Sequence, residues 1–313
     1  MSDGGSDMNP KFKTNVLTVG IAVVDHVFRM DCLPKRAEKH FANDQFDVAG
    51  GIAVNAALAI QSLNGQAFLL SRVGGDGAGI FLEETLSRSG IDLSLLEVCR
   101  DRRSATSAVL MDSSGERMIV NYRSDALFSK PPELPAAVFR SMQAVLGDLR
   151  WTEATTAAFE MARRADVPTV LDFDLNNKTI PKAILETSDY IVFAEAALRR
   201  FARRTHVVSA LRIAQTLLPD VRLAVTCGQD GVHFITGDGR LLKIPARNVK
   251  VCSTLGAGDV FHGALALAIA EGSSFETALR FANDVAALRV SSPPNQSAFP
   301  SRADVEKFQR SAA

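Results

Sequence analysis

Cysteine is scarce in this sequence and is not arranged for disulfide or zinc chemistry. The four cysteines, Cys32, Cys99, Cys227 and Cys252, are far apart, and no Cys-x-x-Cys pair occurs. Disulfide frameworks and structural zinc sites both depend on several cysteines at characteristic spacings. We therefore expect neither, and the composition favours a reducing, cytoplasmic compartment.

Long apolar runs and an excess of one charge are also missing. No stretch approaches the roughly 20 apolar residues of a membrane-spanning helix. Residues 1–13 are polar, without the apolar core of a signal peptide, and we interpret them as a disordered lead. Lys+Arg and Asp+Glu both number 35, which leaves no net charge. These absences argue against a membrane or a nucleic acid as the main partner.

The 313 residues do contain a regular alternation of β-rich and helical segments. "NVLTVGIAVVDHVF" is predicted to be the first core strand, "AGGIAVNAALAIQSLNG" a helix and "QAFLLSRVG" the next strand. The same rhythm resumes at "AVLGDLRW". Such alternation predicts a three-layer α/β/α domain with a mostly parallel central sheet, which we expect to span residues 14–310 as a single domain.

Two segments interrupt this alternation. Residues 26–47 lack a helical period, and residues 103–124 contain two β-rich runs around Asp112–Gly115, which is typical of an antiparallel hairpin. We predict that the two segments form a small β-sheet, a lid, beside the main domain. An apolar face on that lid would favour a homodimer in which two lids pair.

The stretch "TLGAGDVFHGAL" predicts a helix whose first turn is open to a phosphate. Gly256, Ala257 and Gly258 are small, and the first turn of a helix has unpaired N–H groups at its positive end. Asp259 would repel a passively bound anion, but it is suited to accept a proton from an attacking hydroxyl. The residues by themselves also fit a tight turn in which Asp259 is an ordinary helix-start acid.

Four motifs in order resemble those of the ribokinase-like (PfkB-type) carbohydrate kinases, from about Val16 to Pro300. They are "AGGIAVNAA", "VTCGQDG", "TLGAGDVFHGAL" and "FANDVAAL". The resemblance implies a ribokinase-like fold and Mg²⁺-dependent transfer of phosphate from ATP to a sugar. Neither a GxGxxG nor a GxxxxGK[ST] loop is present, which weighs against a dinucleotide dehydrogenase. A sugar-binding protein of the same fold without turnover is the alternative from another class.

The resemblance also implies roles for individual residues. The implied catalytic base and anion hole are Asp259 with Gly256, Ala257 and Gly258. The implied ATP contacts are Thr226, Gly228, Gly231 and Asn283. The implied sugar contacts are Asp25, Gly50, Gly51 and Asn55. Asp25 lies at the end of the predicted first strand, where α/β proteins bind ligands, although a turn-forming Asp is the alternative. Glu195 is either a water-mediated contact to Mg²⁺ or a helix-start acid.

Three further hydrogen-bond donors, Lys39, Asn121 and Arg150, bear on the substrate. They resemble the lysine, asparagine and arginine that hold the sulfonate in the 6-deoxy-6-sulfofructose kinases of this family. If they converge, they form a pocket for an anionic group, and the product would be 6-deoxy-6-sulfofructose 1-phosphate. Taken singly, they also fit a solvated charged run, a strand-edge residue and a pair stacked on Trp151. Fructose, a fructose phosphate or another ketose remains the alternative substrate.

Two other features have competing interpretations. His262 follows Asp259 by three residues on the same predicted helix face, so it is either a second acid/base or, as we favour, a packed, hydrogen-bonded residue. The loop "VGGDGAG", from Gly74 to Gly79, looks like a nucleotide loop but lacks the required spacing. We interpret it as the start of a helix or as a sugar-side turn.

The sequence predicts that a monovalent cation is not required. Ser253 stands where the family usually has Asp, and "SSPPNQSAFP" has prolines where many members have glycine. Both departures fall on the cation site that the resemblance implies. We expect full activity in a buffer without sodium and potassium, measured as ADP release. Activity that disappears there and returns with potassium would contradict this prediction.

Overall fold

The computed structural model describes residues 13–175, 179–292 and 299–311. The predicted lead lies outside these ranges except for Lys13. Residues 293–298 of the proline-containing loop also lie outside them.

The strands form two sheets. In chain order they are β1 (Asn15–Val19), β2 (Val23–Arg29), β3 (Asp44–Gly50), β4 (Gln66–Gly74), β5 (Leu96–Cys99), β6 (Ala105–Met111), β7 (Arg117–Tyr122), β8 (Ala144–Asp148), β9 (Thr169–Phe173), β10 (Tyr190–Ala194), β11 (Arg222–Thr226), β12 (Val232–Ile235) and β13 (Leu241–Ile244). The larger sheet has nine strands in the order β13-β12-β11-β10-β9-β8-β1-β4-β5. Its pairings are parallel except those of β12 with β11 and β13.

The order in which the chain adds strands to the larger sheet reverses beside β1. From β1 the chain moves to β4 and β5 on one side, and it later returns through β8 to fill the other side. Parallel strands end at the same edge, and ligands of open α/β sheets bind where the strand order reverses. The gap between the ends of β1 and β8 is therefore the expected position of a site.

Helices cover both faces of the larger sheet. In chain order they are α1 (Ile52–Ser62), α2 (Gly77–Arg88), α3 (Ala136–Phe139), α4 (Thr152–Arg164), α5 (Lys182–Glu186), α6 (Glu195–Ala202), α7 (Val207–Leu217), α8 (Ala257–Ala270), α9 (Phe275–Val290) and α10 (Arg302–Ser311). One buried apolar core lies beneath α1, α2, α8 and α9, and a second beneath α4, α6 and α7. The predicted three-layer α/β/α domain is confirmed. Within the described ranges, no helix is long and apolar enough to cross a bilayer.

The close approach of α1 and α8 fixes the geometry of the site. A Cβ on Gly263 would lie 2.6 Å from the carbonyl oxygen of Ala56, so only glycine permits this spacing. Asn55 precedes Ala56 on α1, and Asp259 lies one turn before Gly263 on α8. The helix contact therefore brings these two polar side chains to the same end of the sheet.

The smaller sheet is the predicted lid, with the strand order β3-β2-β6-β7. Strands β6 and β7 are the predicted antiparallel hairpin, whereas β2 and β6 pair in parallel, which makes the sheet mixed. The prediction that "NVLTVGIAVVDHVF" is one core strand is wrong. The segment divides at Gly20, where an added Cβ would lie 2.2 Å from Asp148 Oδ2. The chain then leaves the large sheet to form β2. Asp25 consequently lies within a lid strand instead of at the end of a core strand.

Candidate functional site

Asp259 lies in the first turn of α8, which is preceded by Gly256 in a left-handed conformation (φ 70°). Glycine adopts this backbone without strain, and it leaves the helix N-terminus without a capping side chain. The amide Nδ2 of Asn55 donates to Asp259 Oδ2 at 2.7 Å. An oriented carboxylate therefore stands beside the unpaired N–H groups of a helix start.

The environment of Asp259 suits a proton acceptor near neutral pH. Burial and the charge of Asp172 raise its pKa to about 6, while the Asn55 hydrogen bond and His262 act in the opposite direction. A carboxylate with this pKa is ionised at pH 7, yet it is more basic than an ordinary aspartate.

A second acid, Asp148, is the last residue of strand β8, beside the place where the strand order reverses. It was not identified from the sequence. It is 1% exposed, and its Oδ1 accepts a hydrogen bond from the backbone N–H of Arg150 at 2.6 Å. Its Oδ2 has no hydrogen-bond partner among the described residues. Burial raises its pKa to about 7, opposed by the Arg150 N–H and reinforced by Asp172. The one signal in the sequence was an acid at a strand end, in "LGDLR".

The residues implied for ATP line one cavity of about 810 Å³ that ends at the start of α8. From the predicted set, it is lined by Thr226, Gly228, Gly231, Ala257, Gly258 and Asn283. Asn283 Nδ2 donates to the carbonyl oxygen of Pro245 at 3.0 Å, so this side chain also holds the wall of the cavity. The structure thus joins the "VTCGQDG", "GAGD" and "FANDVAAL" motifs, which are distant in sequence.

The chemistry of this cavity fits a nucleoside triphosphate. Val249, Val251 and Phe261 give it apolar walls that suit a base, and the start of α8 provides N–H groups for phosphates. Among the described residues, no group of three acidic, histidine or cysteine side chains forms a metal site. Glu195 is the first residue of α6 and pairs with Arg199, which is the arrangement of a helix-start acid.

The lid presents a polar row across three adjacent strands. Asp25, Ser107 and Asn121 are register partners on β2, β6 and β7, and Ser107 donates to Asn121 Oδ1 at 2.6 Å. Burial raises the pKa of Asp25 more than Ser107 and His26 lower it. A Cβ on Gly50 would lie 2.1 Å from Asp25 Oδ2, and one on Gly51 (φ 101°) would lie 2.3 Å from the carbonyl oxygen of Ile21. Both glycines therefore permit a close approach of backbone to the site.

The three donors expected to converge on an anion each have their own surroundings. Lys39 is exposed on the loop between β2 and β3, and Asn121 is engaged with Ser107. The half-buried Arg150 side chain donates to Asp174 Oδ2 at 2.8 Å and to the carbonyl oxygen of Leu175 at 2.9 Å. Arg150 lies at the carboxyl edge of the large sheet.

His262 and the "VGGDGAG" loop both have structural surroundings. His262 is 3% exposed and hydrogen-bonded to the Gly258 carbonyl at 2.7 Å. The "VGGDGAG" loop is the start of α2, where Asp76 accepts from the N–H of Gly79 at 3.0 Å and from Ser104 Oγ at 2.6 Å. Neither feature supplies a side chain to the cavity at the start of α8.

Comparison with known proteins places this geometry in context. Residues 13–302 match the family described as pfkB family carbohydrate kinase. The chain is 29% identical over 301 residues to the ribokinase of Bacillus subtilis (strain 168), which covers 94% of this chain and 99% of that protein.

Solved structures with the same fold include a proposed ribokinase from Agrobacterium tumefaciens. It matches with a TM-score of 0.92 and 32% identity over 96% of this chain and 98% of its own. The ribokinase of Arabidopsis thaliana, complexed with ribose and ATP, matches in fold with a TM-score of 0.83 and 24% identity over 95% and 98% of the two chains.

Replacement of the Asp259 carboxylate tests its assignment as a base. We expect Asp259→Asn to lower turnover about 10²–10⁴-fold, the range for general-base catalysis, and to leave sugar binding by calorimetry within about threefold. In the unchanged protein, the acidic limb of kcat/KM should lie near pH 6, because the base must be ionised. The half-exposed acid Glu276 of α9, which pairs with Arg280, serves as the control when it is replaced by Gln.

The raised pKa of Asp259 also predicts the direction in which Asp259→Asn changes the stability of the fold. Because the pKa of Asp259 is raised on folding from 3.8 to about 6, the folded protein holds this proton more tightly, and ionisation weakens the fold as pH rises through that window. Asp259→Asn should therefore melt at or above the wild-type temperature at pH 7. A lower melting temperature together with lost sugar binding would indicate a structural role instead.

Proposed function

Since the chain belongs to the pfkB family of carbohydrate kinases, we propose that its acceptor is 6-deoxy-6-sulfofructose, which it phosphorylates on the 1-hydroxyl. The fold is ribokinase-like, as the sequence resemblance implied, and the chain is an ATP-dependent sugar kinase. The identity of the sugar is the part of the proposal that goes beyond the family, and it depends mainly on the position of Arg150.

Phosphoryl transfer in this proposal uses the start of α8. The Asp259 carboxylate takes the proton of the attacking sugar hydroxyl, and Asn55 holds that carboxylate in position. The N–H groups of the first helical turn stabilise the negative charge that develops on the transferred group. Mg²⁺ bound to the triphosphate would add to this charge stabilisation. The lid above the site would exclude water, which favours transfer to the sugar over hydrolysis.

The sugar would lie between the lid and the start of α8. The polar row of Asp25, Ser107 and Asn121 offers acceptors and donors to hydroxyl groups from the lid side. Arg150 provides a cation at the carboxyl edge of the large sheet, two residues after the buried Asp148 that fixes its backbone N–H. A neutral sugar has no need of that cation, whereas a sulfonate pairs with it in exchange for Asp174. Lys39, on its exposed loop, would join this pocket when the sugar binds.

Ribose is the second candidate, and the relatives favour it. The Bacillus subtilis protein is named ribokinase, and the Arabidopsis thaliana ribokinase is described with ribose and ATP. In that case the Arg150–Asp174 pair would remain intact and act as part of the wall. The two candidates differ in whether Arg150 contacts the substrate.

A comparison of acceptors separates them. Initial rates with ATP are measured for 6-deoxy-6-sulfofructose, fructose 6-phosphate, fructose and ribose. We expect sulfofructose to have the highest kcat/KM. Arg150→Ala should lower that value about 10–100-fold, the effect of losing a hydrogen bond to a charged group, and should change the fructose rate less than about threefold. Arg163→Ala, at an exposed arginine of α4, is the matched control. Equal losses on both sugars, or a preference for ribose, would reject the sulfonate pocket.

We also propose that two lids pair in a homodimer. On strand β7, Met118, Val120 and Tyr122 point away from Asn121, and they are 42%, 64% and 49% exposed. An exposed apolar sheet face of this kind is usually covered by a partner. Sedimentation velocity should give a dimer for the wild type and a monomer for Val120→Asp. Val208→Asp, at an exposed valine of α7, should remain dimeric. A wild-type protein that sediments as a monomer would contradict this arrangement.

A further inference from the structure

A buried ion pair lies directly beneath the proposed base. His262 Nδ1 is 3.0 Å from Asp172 Oδ2, and the two residues are 3% and 4% exposed. The same Nδ1 is 2.7 Å from the carbonyl oxygen of Gly258, and Nε2 is 3.4 Å from that of Val192. No step of phosphoryl transfer described above uses either residue, although both lie within the part of the molecule that performs it.

The contacts define the charge on this histidine. Acceptor oxygens lie next to both ring nitrogens, and only the doubly protonated imidazolium can donate on both sides. Burial alone would lower the pKa of His262. The charge and hydrogen bond of Asp172, with the carbonyls of Gly258 and Val192, outweigh it and raise the pKa to about 9. His262 is therefore a fixed positive charge at neutral pH.

The ion pair joins the helix that carries the base to the middle of the large sheet. Asp172 lies on β9, between its register partners Asp148 on β8 and Val192 on β10. His262 lies one turn beyond Asp259 on α8, and Gly258 is the residue immediately before Asp259. The imidazolium thus fastens the backbone of the first helical turn to two strands.

Charged groups from several elements face Asp259, and acids outnumber cations among them. The acids are Asp148, Asp172 and Asp174, the cations are His262 and the buried Arg289 of α9, and the neutral hydrogen-bond donor is Asn55. A carboxylate among other carboxylates tends to keep its proton and so to lose its function as a base. A fixed cation close to the acids opposes this tendency.

We propose that His262 is a positioning residue for phosphoryl transfer: its imidazolium, held by Asp172, fixes the first turn of α8 and supplies the counter-charge that keeps Asp259 ionised. The inference rests on the role of Asp259 as the base, and it is independent of which sugar is the acceptor. The histidine contacts neither substrate and transfers no proton.

The charge of His262 can be measured without any activity. The chain has five histidines, and the ¹⁵N and ¹³C ring signals of His262 are assigned by their loss in His262→Asn. We expect these signals in the wild-type protein to report the doubly protonated ring from pH 6 to pH 8, a range in which a histidine of ordinary pKa, about 6.5, loses its second ring proton. A His262 ring that is neutral at pH 7 would overturn the proposal.

Kinetics then test whether that charge acts on the base. At saturating ATP and Mg²⁺, with the best acceptor of the wild type, His262→Asn should move the acidic limb of kcat/KM up by about one pH unit, as expected for loss of a neighbouring opposite charge. At pH 6.5, the rate expressed as a fraction of the same protein's rate at pH 8.5 should be about threefold lower for the variant than for the wild type. The double variant His262→Asn/Asp172→Asn removes both charges and should return the limb towards the wild-type position.

Two controls separate this effect from a loss of packing. Titration of the nucleotide is common to all variants, so only differences between their limbs are interpreted. Thermal unfolding identifies a variant that does not fold, in which case the ring signals of the wild type decide. A folded His262→Asn that loses activity by the same factor at every pH, with its limb unmoved, has lost packing only and contradicts the proposal.

Discussion

The site depends on keeping a desolvated carboxylate ionised among other carboxylates. Asp259 is half-buried at the carboxyl edge of the large sheet, with Asp148 and Asp172 nearby, and each of these charges makes the next more difficult to maintain. The arrangement is possible because the three acids differ in their surroundings. Asp148 has a pKa of about 7 and is only partly ionised at neutral pH, Asp172 is paired with His262, and Asp259 is held by Asn55. One acid of the cluster is thereby left both ionised and accessible.

Close backbone approaches bring these groups together. Gly263 lets α8 lie against α1, Gly20 leaves room for the Asp148 carboxyl, and Gly50 leaves room for Asp25. A Cβ at Gly20 or Gly50 would displace the carboxyl group of Asp148 or Asp25, and a Cβ at Gly263 would push α8 away from α1. The glycines are therefore part of the site's construction even where they contact no ligand, and they connect the lid, the sheet and α8 into one unit.

The repeating features of the fold followed directly from local sequence. The α/β alternation, the helix within "AGGIAVNAALAIQSLNG" (Ile52–Ser62), the strand "QAFLLSRVG" and the hairpin around Asp112–Gly115 are all present. Each is specified by residues that are close in the chain. The division of "NVLTVGIAVVDHVF" at Gly20 was missed, because its apolar pattern continues through the break and the cause is a contact with Asp148, 128 residues away in sequence. Lys39, Asn121 and Arg150 are likewise ordinary polar residues in the sequence, and only their surroundings differentiate them.

By itself, the sequence determined the type of each element and the helix start at Gly256–Asp259, since periodicity, glycine spacing and an acid in the first turn are local properties. The tertiary structure alone decided which acids of distant strands meet, which of them is paired, and which histidine lies against an acid. Ionisation depends on burial and on neighbours within a few ångströms, and those neighbours come from strands and helices that are far apart along the chain. The chemistry of Asp259 is therefore encoded in its own motif only as a carboxylate. Its raised basicity comes from burial and from the charge of Asp172, and Asn55 and His262, which folding brings to the same place, limit that rise and favour the ionised form.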